Sequence, residues 1–549
     1  METTPDEFRS HAPELLIMSL SFGRNALIDA PPGLGKTKSA AKAAIVLSEN
    51  RGQRVLLLEP TKTLREQMVR YLKESGMHTQ PHESKAYQDY KCPIIQANAD
   101  PSLCMTRKNL CRQEGQGCGV LMDIDGIAES KITVATFAKF LLSKSSFSKY
   151  DSFIIDESHG FENAETTYLQ TYLLISRIED VAVKMKDTFP DVSEKLESIG
   201  AGLSQYREMI GDSTPLAVNE IITIGDALGD EKLKIAHLEC SRNLTHPEFR
   251  ALYNSISAVH YRAQNINDNI FFFYEGALYA RPKNMNSEVA GFFRGKNVAL
   301  LSATIDNAQL HAKACGIDLR RFQHSDWWIM ENYPEARRRN RLLLALTDGP
   351  NLGRNEQTYE SSRQAANTIL YQMLKGFQLR TLVLFRSYSD HKSAYSFLAN
   401  SEMSSRLLSI EQAEDPDTID AKIQQFRGLN SVVLTTASSR LWEGVDIPGL
   451  RLVLIDALPY PGRDPLAKDY NFAVGRLTMI KKLKQGLGRI VRSDDDWGSA
   501  VILDRRFIRE FKRFTSQLPW RMGEDFQKTT LSSAIERLNR FAESHGGIT

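Results

Sequence analysis

The segment that most constrains this chain runs from Asn25 to Asn50. It reads NALID, then Ala30-Pro31-Pro32-Gly33-Leu34-Gly35-Lys36-Thr37, then KSAAKAAIVLSEN. The short apolar run predicts a buried strand, and the alanine-rich run predicts a helix. Between them, two glycines let backbone N–H groups turn inward at the helix N-terminus, where phosphate oxygens bind. Ala30, Pro31, Pro32, Gly33, Leu34, Gly35, Lys36 and Thr37 together read as a phosphate cradle. Lys36 is placed to reach the β- and γ-phosphates, and the Thr37 hydroxyl to hold Mg²⁺. The first position is alanine where the strict pattern has glycine.

A second strand end complements the loop. In FIIDESH an apolar run delivers Asp156 and Glu157 side by side. Asp156 can hold Mg²⁺ through water, and Glu157 can orient and deprotonate an attacking water. Loop and carboxylates together imply an ATPase; a kinase or a transport ATPase would carry the same pair.

The chain has 549 residues, enough for three or four domains. With 42% apolar and 25% charged residues, it has the make-up of a folded protein. Its longest apolar runs fall far short of the roughly 20 residues a membrane span needs. METTPDEFRS has an early acidic pair and no apolar core of a leader, so a cytoplasmic location is expected. The net charge of +2 gives no global basic field, which confines any polyanion site to a local groove.

Strand-like runs alternate with helical ones from residue 25 to 160: NALIDA, RVLLLEP, KITVATF and SFIIDESH. Continuous apolar runs followed by helices indicate a parallel sheet. Residues 161–285 change texture and predict a helical insertion, after which NVALLSATI returns as a strand. A second α/β series follows from about 342, with RTLVLFRSYS, SVVLTTASS, RLVLIDALPY and SAVILDRR as strands. EARRRNR, just before it, reads as a charged linker or a phosphate contact. The phenylalanine-rich NIFFFYEG (269–276) reads as a core strand returning to the first lobe, with base stacking as the alternative.

At LWEGVDIPG, DALPYPGRDP and QGLGRIVRSDDDWGSAVILDRR the sequence strongly resembles the XPD/DinG family of superfamily 2 iron–sulfur DNA helicases. The likeness spans both α/β halves in order. Ala30 to Thr37 resembles helicase motif I, PTKTLREQ (60–67) Ia, Asp156-Glu157-Ser158-His159 II and Ser302-Ala303-Thr304 III. LFRSYSD (384–390) resembles IV, Trp442 to Asp446 V, and Gln485 to Arg492 VI.

The resemblance implies an α/β fold. Two RecA-like P-loop domains carry an iron–sulfur module and a helical arch, both inserted in the first. The implied division is 1–88, 119–160 and 286–340 for lobe one, 89–118 for the module, 161–285 for the arch and 341–549 for lobe two.

It also implies that Gln485 lies near the γ-phosphate and that Asp446 joins the nucleotide site. Arg489 and Arg492, three apart, would share one helical face and stabilise charge on the transferring phosphoryl group. They belong to lobe two, while Lys36 and Glu157 belong to lobe one, so hydrolysis would require closure. Ser302-Ala303-Thr304 would link nucleotide state to strand binding. Thr61, Lys62, Arg386, Ser387 and Tyr388 are candidates for the strand track. The family's Arg-x-x-Gln element has no full counterpart, since Phe8-Arg9-Ser10-His11 lacks the glutamine. That leaves adenine selectivity open.

Four of the six cysteines, Cys92, Cys104, Cys111 and Cys118, lie between motifs Ia and II with spacing C-x11-C-x6-C-x6-C. Structural zinc sites usually pair cysteines two to four residues apart, whereas a cubane cluster needs no close pair. In the family this position holds a 4Fe–4S cluster. Zinc and an unmetallated remnant are the alternatives.

The reading implied is an ATP- and Mg²⁺-dependent helicase moving 5′ to 3′ on single-stranded DNA and opening forked duplex, as a monomer without membrane attachment. Repair or defence-complex proteins are the expected partners. The rival readings are a nucleic-acid-stimulated remodeller without processive unwinding, and a scaffold with a dead motor.

Overall fold

The protein is represented by a computed structural model. It describes the chain except residues 1–4, 32, 76–77, 79, 87–88, 93–96, 99–117, 244, 306, 324–325, 330–337, 354–357, 412–415, 430–431, 438–446, 448, 461–471, 492–494, 516–517, 519–521 and 548–549.

Lobe one is built on a seven-stranded sheet. Its spatial order is Trp327–Ile329, Ala26–Asp29, Asn297–Ser302, Ser152–Ile155, Val55–Glu59, Ile132–Thr136 and His82–Glu83, and its pairings are parallel. Helices cover both faces, so alternate residues of one strand feed two cores. Leu27, Leu56, Leu58, Phe153 and Ile155 enter one core, and Ile28, Val55, Leu57 and Ile154 the other. This two-sided burial is why the strands read as unbroken apolar runs. It also brings the C-terminal ends of Ala26–Asp29, Val55–Glu59 and Ser152–Ile155 to one edge, where open α/β sheets bind ligands.

Lobe two repeats the arrangement in the order Leu407–Ile410, Val433–Thr436, Thr381–Leu384, Leu452–Ile455, Gly498–Ile502, Arg341–Leu346 and Phe526–Thr529. At its centre Arg363 grips Asp456 through two bonds of 2.6 and 2.7 Å, with both side chains buried. The lobes touch: Ala303 of lobe one is buried in the lobe-two core beside Leu343 and Leu384.

Two α/β sheets flanking an insertion match the expected fold class. The insertion is not purely helical. Five helices, from Ile175–Met185 to Pro247–Gln264, pack on an antiparallel sheet ordered Thr171–Leu174, Ala277–Pro282, Asn269–Tyr274. NIFFFY is thus a strand, but not of lobe one: Phe271 and Phe273 are buried among Leu173, Ile178 and Leu278 in the insertion's own core. The helix Phe161–Leu169, assigned from sequence to the arch, buries Phe161 and Leu169 in the lobe-one core.

Of the EARRRNR run, residues 338–341 are described; Arg339 is exposed, whereas Arg338 and Arg341 are tied into the fold. Both donate to Asp525, at 2.7 and 3.0 Å, and so tie the start of lobe two to its C-terminal region. Neither a solvated linker nor a phosphate contact describes these two.

Among the described residues no helix is long and apolar enough to cross a membrane.

Candidate nucleotide site and metal module

The strand Ala26–Asp29 passes into the glycine loop, and the helix begins at Lys36. Gly33 (φ 74°) and Gly35 (φ 100°) hold left-handed conformations that a side chain would strain, so glycine is needed at both. The loop is folded around its own lysine: Lys36 Nζ donates to the carbonyls of Ala30 (2.7 Å) and Pro31 (3.2 Å). The ammonium group thereby sits at the mouth of the cradle. Pro32 lies outside the described residues.

The loop and the carboxylate pair meet directly. Thr37 Oγ1 donates to Asp156 Oδ2 at 2.6 Å, and the Glu157 N–H donates to Asp156 Oδ1 at 2.9 Å. Glu157 takes a left-handed backbone (φ 45°), a costly state for a non-glycine residue. It turns the chain sharply off the strand end. Asp156 is buried, and burial together with the Glu157 carboxylate pushes its carboxyl up to about 6. Thr37 and Lys36 oppose that rise. A buried carboxylate at this edge, beside a hydroxyl and a lysine, is a fitting seat for a divalent cation.

Behind the carboxylates lies a polar relay. His159 Nδ1 is 3.0 Å from Ser302 Oγ and 3.4 Å from Glu157 Oε2. Ser302 Oγ also accepts the Thr304 N–H at 3.1 Å. Ser158 Oγ is 2.9 Å from His311 Nε2. Burial holds His159 neutral, pushing it down to about 3, and the positive charges of Lys481, Lys36 and Arg489 act the same way. His311 is depressed to about 3 by burial, with Lys481 and His159 contributing.

Lys481 and Arg489 belong to lobe two, and Lys36 and His159 to lobe one, so the two lobes face each other across this site. Arg489 is buried. It lies in a turn beyond the helix Phe472–Leu487, with its N–H bonded to Gly486 O. The expectation of a helical face shared with Arg492 therefore fails at Arg489, where two nearby glycines end the helix. Gln485 is on that helix, and its buried Oε1 has no hydrogen-bond partner among the described residues. Arg492 and Asp446 lie outside the described residues.

Three neighbours were not singled out from sequence. Glu59 ends its strand beside Asp156; it is buried, and desolvation by burial, then Asp156 and Glu157, raise its carboxyl well above the usual range. The signal was a carboxylate closing the apolar run RVLLLE, as Asp156 closes FII. Lys481 sits four residues before Gln485 and so shares its helix face. His311 carries no sequence signal.

Four candidates for the strand track make bonds inside the protein. Thr61 caps its helix by accepting from Leu64 N, Lys62 pairs with Asp89, Arg386 pairs with Asp390, and Ser387 caps the following helix. Tyr388 is half-buried near the His391 ring. Arg9 flanks the loop, since a Cβ on Gly35 would lie 3.9 Å from Arg9 Cγ.

Of the four module cysteines, Cys104 and Cys111 lie outside the described residues. Cys92 ends a two-residue strand paired with Ala97–Asn98, and Cys118 caps the helix Gly119–Glu129. Both pack in one small apolar cluster with Tyr90, Val120 and Ile124. Asp123 ties this helix to lobe one through Lys139 (2.9 Å) and His82 (3.0 Å). Two thiols brought together at the base of a small module fit a shared metal group. Among the described residues there is no group of three or more metal-ligating side chains.

Two parallel-sheet lobes with a phosphate loop in the first and a buried arginine from the second define a two-lobed P-loop ATPase of the helicase class. Comparison with known proteins agrees. Residues 13–188 match the DEAD/DEAH box helicase family, and residues 370–524 the helicase C-terminal domain. A probable ATP-dependent helicase of Methanocaldococcus jannaschii is 24% identical, with 94% of each chain covered. The ATP-dependent helicase DinG of Mycobacterium tuberculosis is 31% identical over 29% of this chain and 26% of that protein. The solved structure of an XPD helicase superposes with a TM-score of 0.65 at 15% identity, covering 95% of this chain and 99% of that one. The chain belongs to the XPD/DinG family of ATP-dependent helicases.

Proposed function

We propose that this protein moves 5′ to 3′ along single-stranded DNA, opens forked duplex at the expense of ATP, and serves DNA repair. The observation that carries the reading is the convergence of Lys36, Thr37, Asp156 and Glu157 from lobe one with Arg489 and Lys481 from lobe two. Polarity follows the family to which the chain belongs.

In this reading the cradle from Ala30 to Thr37, with Asp446, holds ATP. Thr37 and Asp156 hold Mg²⁺, which neutralises charge on the β- and γ-phosphates. Glu157 accepts the proton of the attacking water, and His159 keeps its carboxylate turned toward the loop. Arg489 and Arg492 balance charge on the transferring phosphoryl group, and Gln485 directs its amide to the same place. Groups from two lobes must close on one phosphate, so turnover is tied to a domain motion. Cys92, Cys104, Cys111 and Cys118 hold a 4Fe–4S cluster whose ligation supplies the folding energy a module of this size cannot draw from a core. The inserted arch extends from about residue 170 to 284.

The test uses duplexes with a single 5′ or 3′ tail. ATP-dependent opening of the 5′-tailed substrate alone, lost in Lys36→Ala, is expected. Opening from the 3′ tail, or opening that survives Lys36→Ala, would overturn the proposal.

A further inference from the structure

The sheet of the insertion has one face in the insertion's core and one face turned outward. An outward face of an antiparallel sheet ordinarily carries polar side chains. Here it carries aromatic rings in register. Tyr279 on the central strand stands directly opposite Tyr172 on one neighbour and Phe272 on the other. Tyr172 stacks on Tyr279 at 5.6 Å and 29°, and Tyr279 stacks on Phe272 at 5.3 Å and 11°. The guanidinium of Arg281 lies 5.6 Å from the centre of the Phe272 ring. The row therefore runs from a covered, arginine-backed ring to an open one, since Tyr172 is 51% exposed.

Beside the open end is a groove of about 280 Å³ between the edge strand Thr171–Leu174 and the helix Pro247–Gln264. Gln170, Tyr172, Arg177, Asn254 and Ser255 line it, and no acidic residue does. Arg177 is exposed and makes no ion pair among the described residues. Lys283, past the end of the central strand, is also exposed. The acidic Glu275 is at the hairpin tip beside Tyr274 and near Tyr279, next to Gly276, whose carbonyl accepts from the Ile175 N–H.

We infer that this face is a binding platform for single-stranded nucleic acid. A base stacks on Tyr172 and extends the aromatic row, and a backbone phosphate is held in the groove by Arg177. Stacked rings next to an isolated cation suit bases and phosphates together, because any base offers a π-face and each phosphate one charge. Gln170, Asn254 and Ser255 supply hydrogen-bonding groups for a sugar or base edge. The platform follows directly on the helix Phe161–Leu169, one short element after the Asp156–Glu157 strand end. It would thus hold the strand on the insertion while the lobes step. The inference rests on the nucleic-acid reading of the protein and names a site within it.

The test measures binding of a fluorescent oligothymidine to the full-length chain by anisotropy at several salt concentrations. Stacking of one base predicts that Tyr172→Ala weakens binding roughly five- to a hundredfold, while Tyr172→Phe binds like wild type. Arg177→Ala is expected to lower the slope of log affinity against log salt by about one. ATP hydrolysis without oligonucleotide stays unchanged in all three. An oligonucleotide carrying 5-iodouracil is expected to photocrosslink to Tyr172. Normal wild-type binding with an indifferent Tyr172→Ala and no crosslink in 170–177 would overturn the inference alone and leave the face to a protein partner. No binding by the wild-type chain would overturn both this inference and the nucleic-acid reading.

Discussion

Ser302→Ala isolates the polar relay between the carboxylate pair and the strand end that abuts lobe two. Ser302 is fully buried, and its oxygen serves both His159 Nδ1 (3.0 Å) and the Thr304 N–H (3.1 Å). Two buried hydrogen bonds contribute about 1 kcal/mol each, and an N–H left without an acceptor costs about 1–3 kcal/mol. The lost bond to His159 and the unsatisfied Thr304 N–H together give an expected loss of stability of about 2–4 kcal/mol. For a lobe of roughly this size, each 1 kcal/mol lowers Tm by about 2–4 °C. The functional effect should be larger than the stability effect, because Ala303 beside it packs into lobe two. Stimulation of ATP hydrolysis by oligonucleotide should fall about tenfold for each 1.4 kcal/mol of coupling lost, with basal hydrolysis within a few-fold of wild type. Phosphate release is measured with and without oligothymidine for Ser302→Ala, His159→Ala and the double variant. A double variant costing about 1 kcal/mol less than the sum confirms a shared interaction. Strict additivity, or an equal loss of basal and stimulated rates in Ser302→Ala, would refute the relay.

Two further predictions concern pH and metal. His311 is neutral in the folded protein down to about pH 3 but titrates near 6.5 when unfolded, so acid favours the unfolded chain. Below pH 6.5 its contribution to stability falls by about 1.4 kcal/mol per pH unit, and urea titrations should show that slope reduced in His311→Gln. Glu165 has the opposite sign: burial, then Glu162, push its carboxyl up to about 8, so its contribution is lost as pH rises from about 4.5 toward 8. Glu165→Gln should flatten that limb; identical pH profiles would count against the buried positions assigned to both. For the module, anaerobically purified protein is expected to contain iron and sulfide, and Cys118→Ser to lose most of both while keeping ATP hydrolysis. Zinc in the wild-type chain would assign the cysteines to the other metal.

The parts of the fold that sequence revealed are those where physics acts on contiguous residues. Strands buried on both faces, such as Val55–Glu59 and Leu452–Ile455, leave apolar runs that need no tertiary knowledge. Edge strands do not. Phe526–Thr529 buries only its two end residues, and Trp327–Ile329 spans three, too short for a period to emerge. NIFFFY was legible as a strand, but apolar periodicity does not say which core a strand enters. Its partners, Thr171–Leu174 and Ala277–Pro282, decided that.

The site divides in the same way. The loop, the carboxylate pair and the C-terminal arginine motif are local patterns. His311, Lys481 and Glu59 matter through neighbours distant in sequence, and the turn that holds Arg489 is set by glycines that a helical spacing ignores. The aromatic row was hidden because Tyr172 and Phe272 are separated by nearly the whole insertion.

The central claim is that the catalytic centre is assembled from both lobes. Arg489→Ala tests it most directly, with ATP binding and oligonucleotide-stimulated phosphate release measured on the same preparation. The account predicts nucleotide binding close to wild type and turnover reduced at least a thousandfold, the order expected for an arginine that meets the transferring phosphoryl group. Wild-type turnover in Arg489→Ala would contradict it, because lobe one would then hydrolyse ATP unaided.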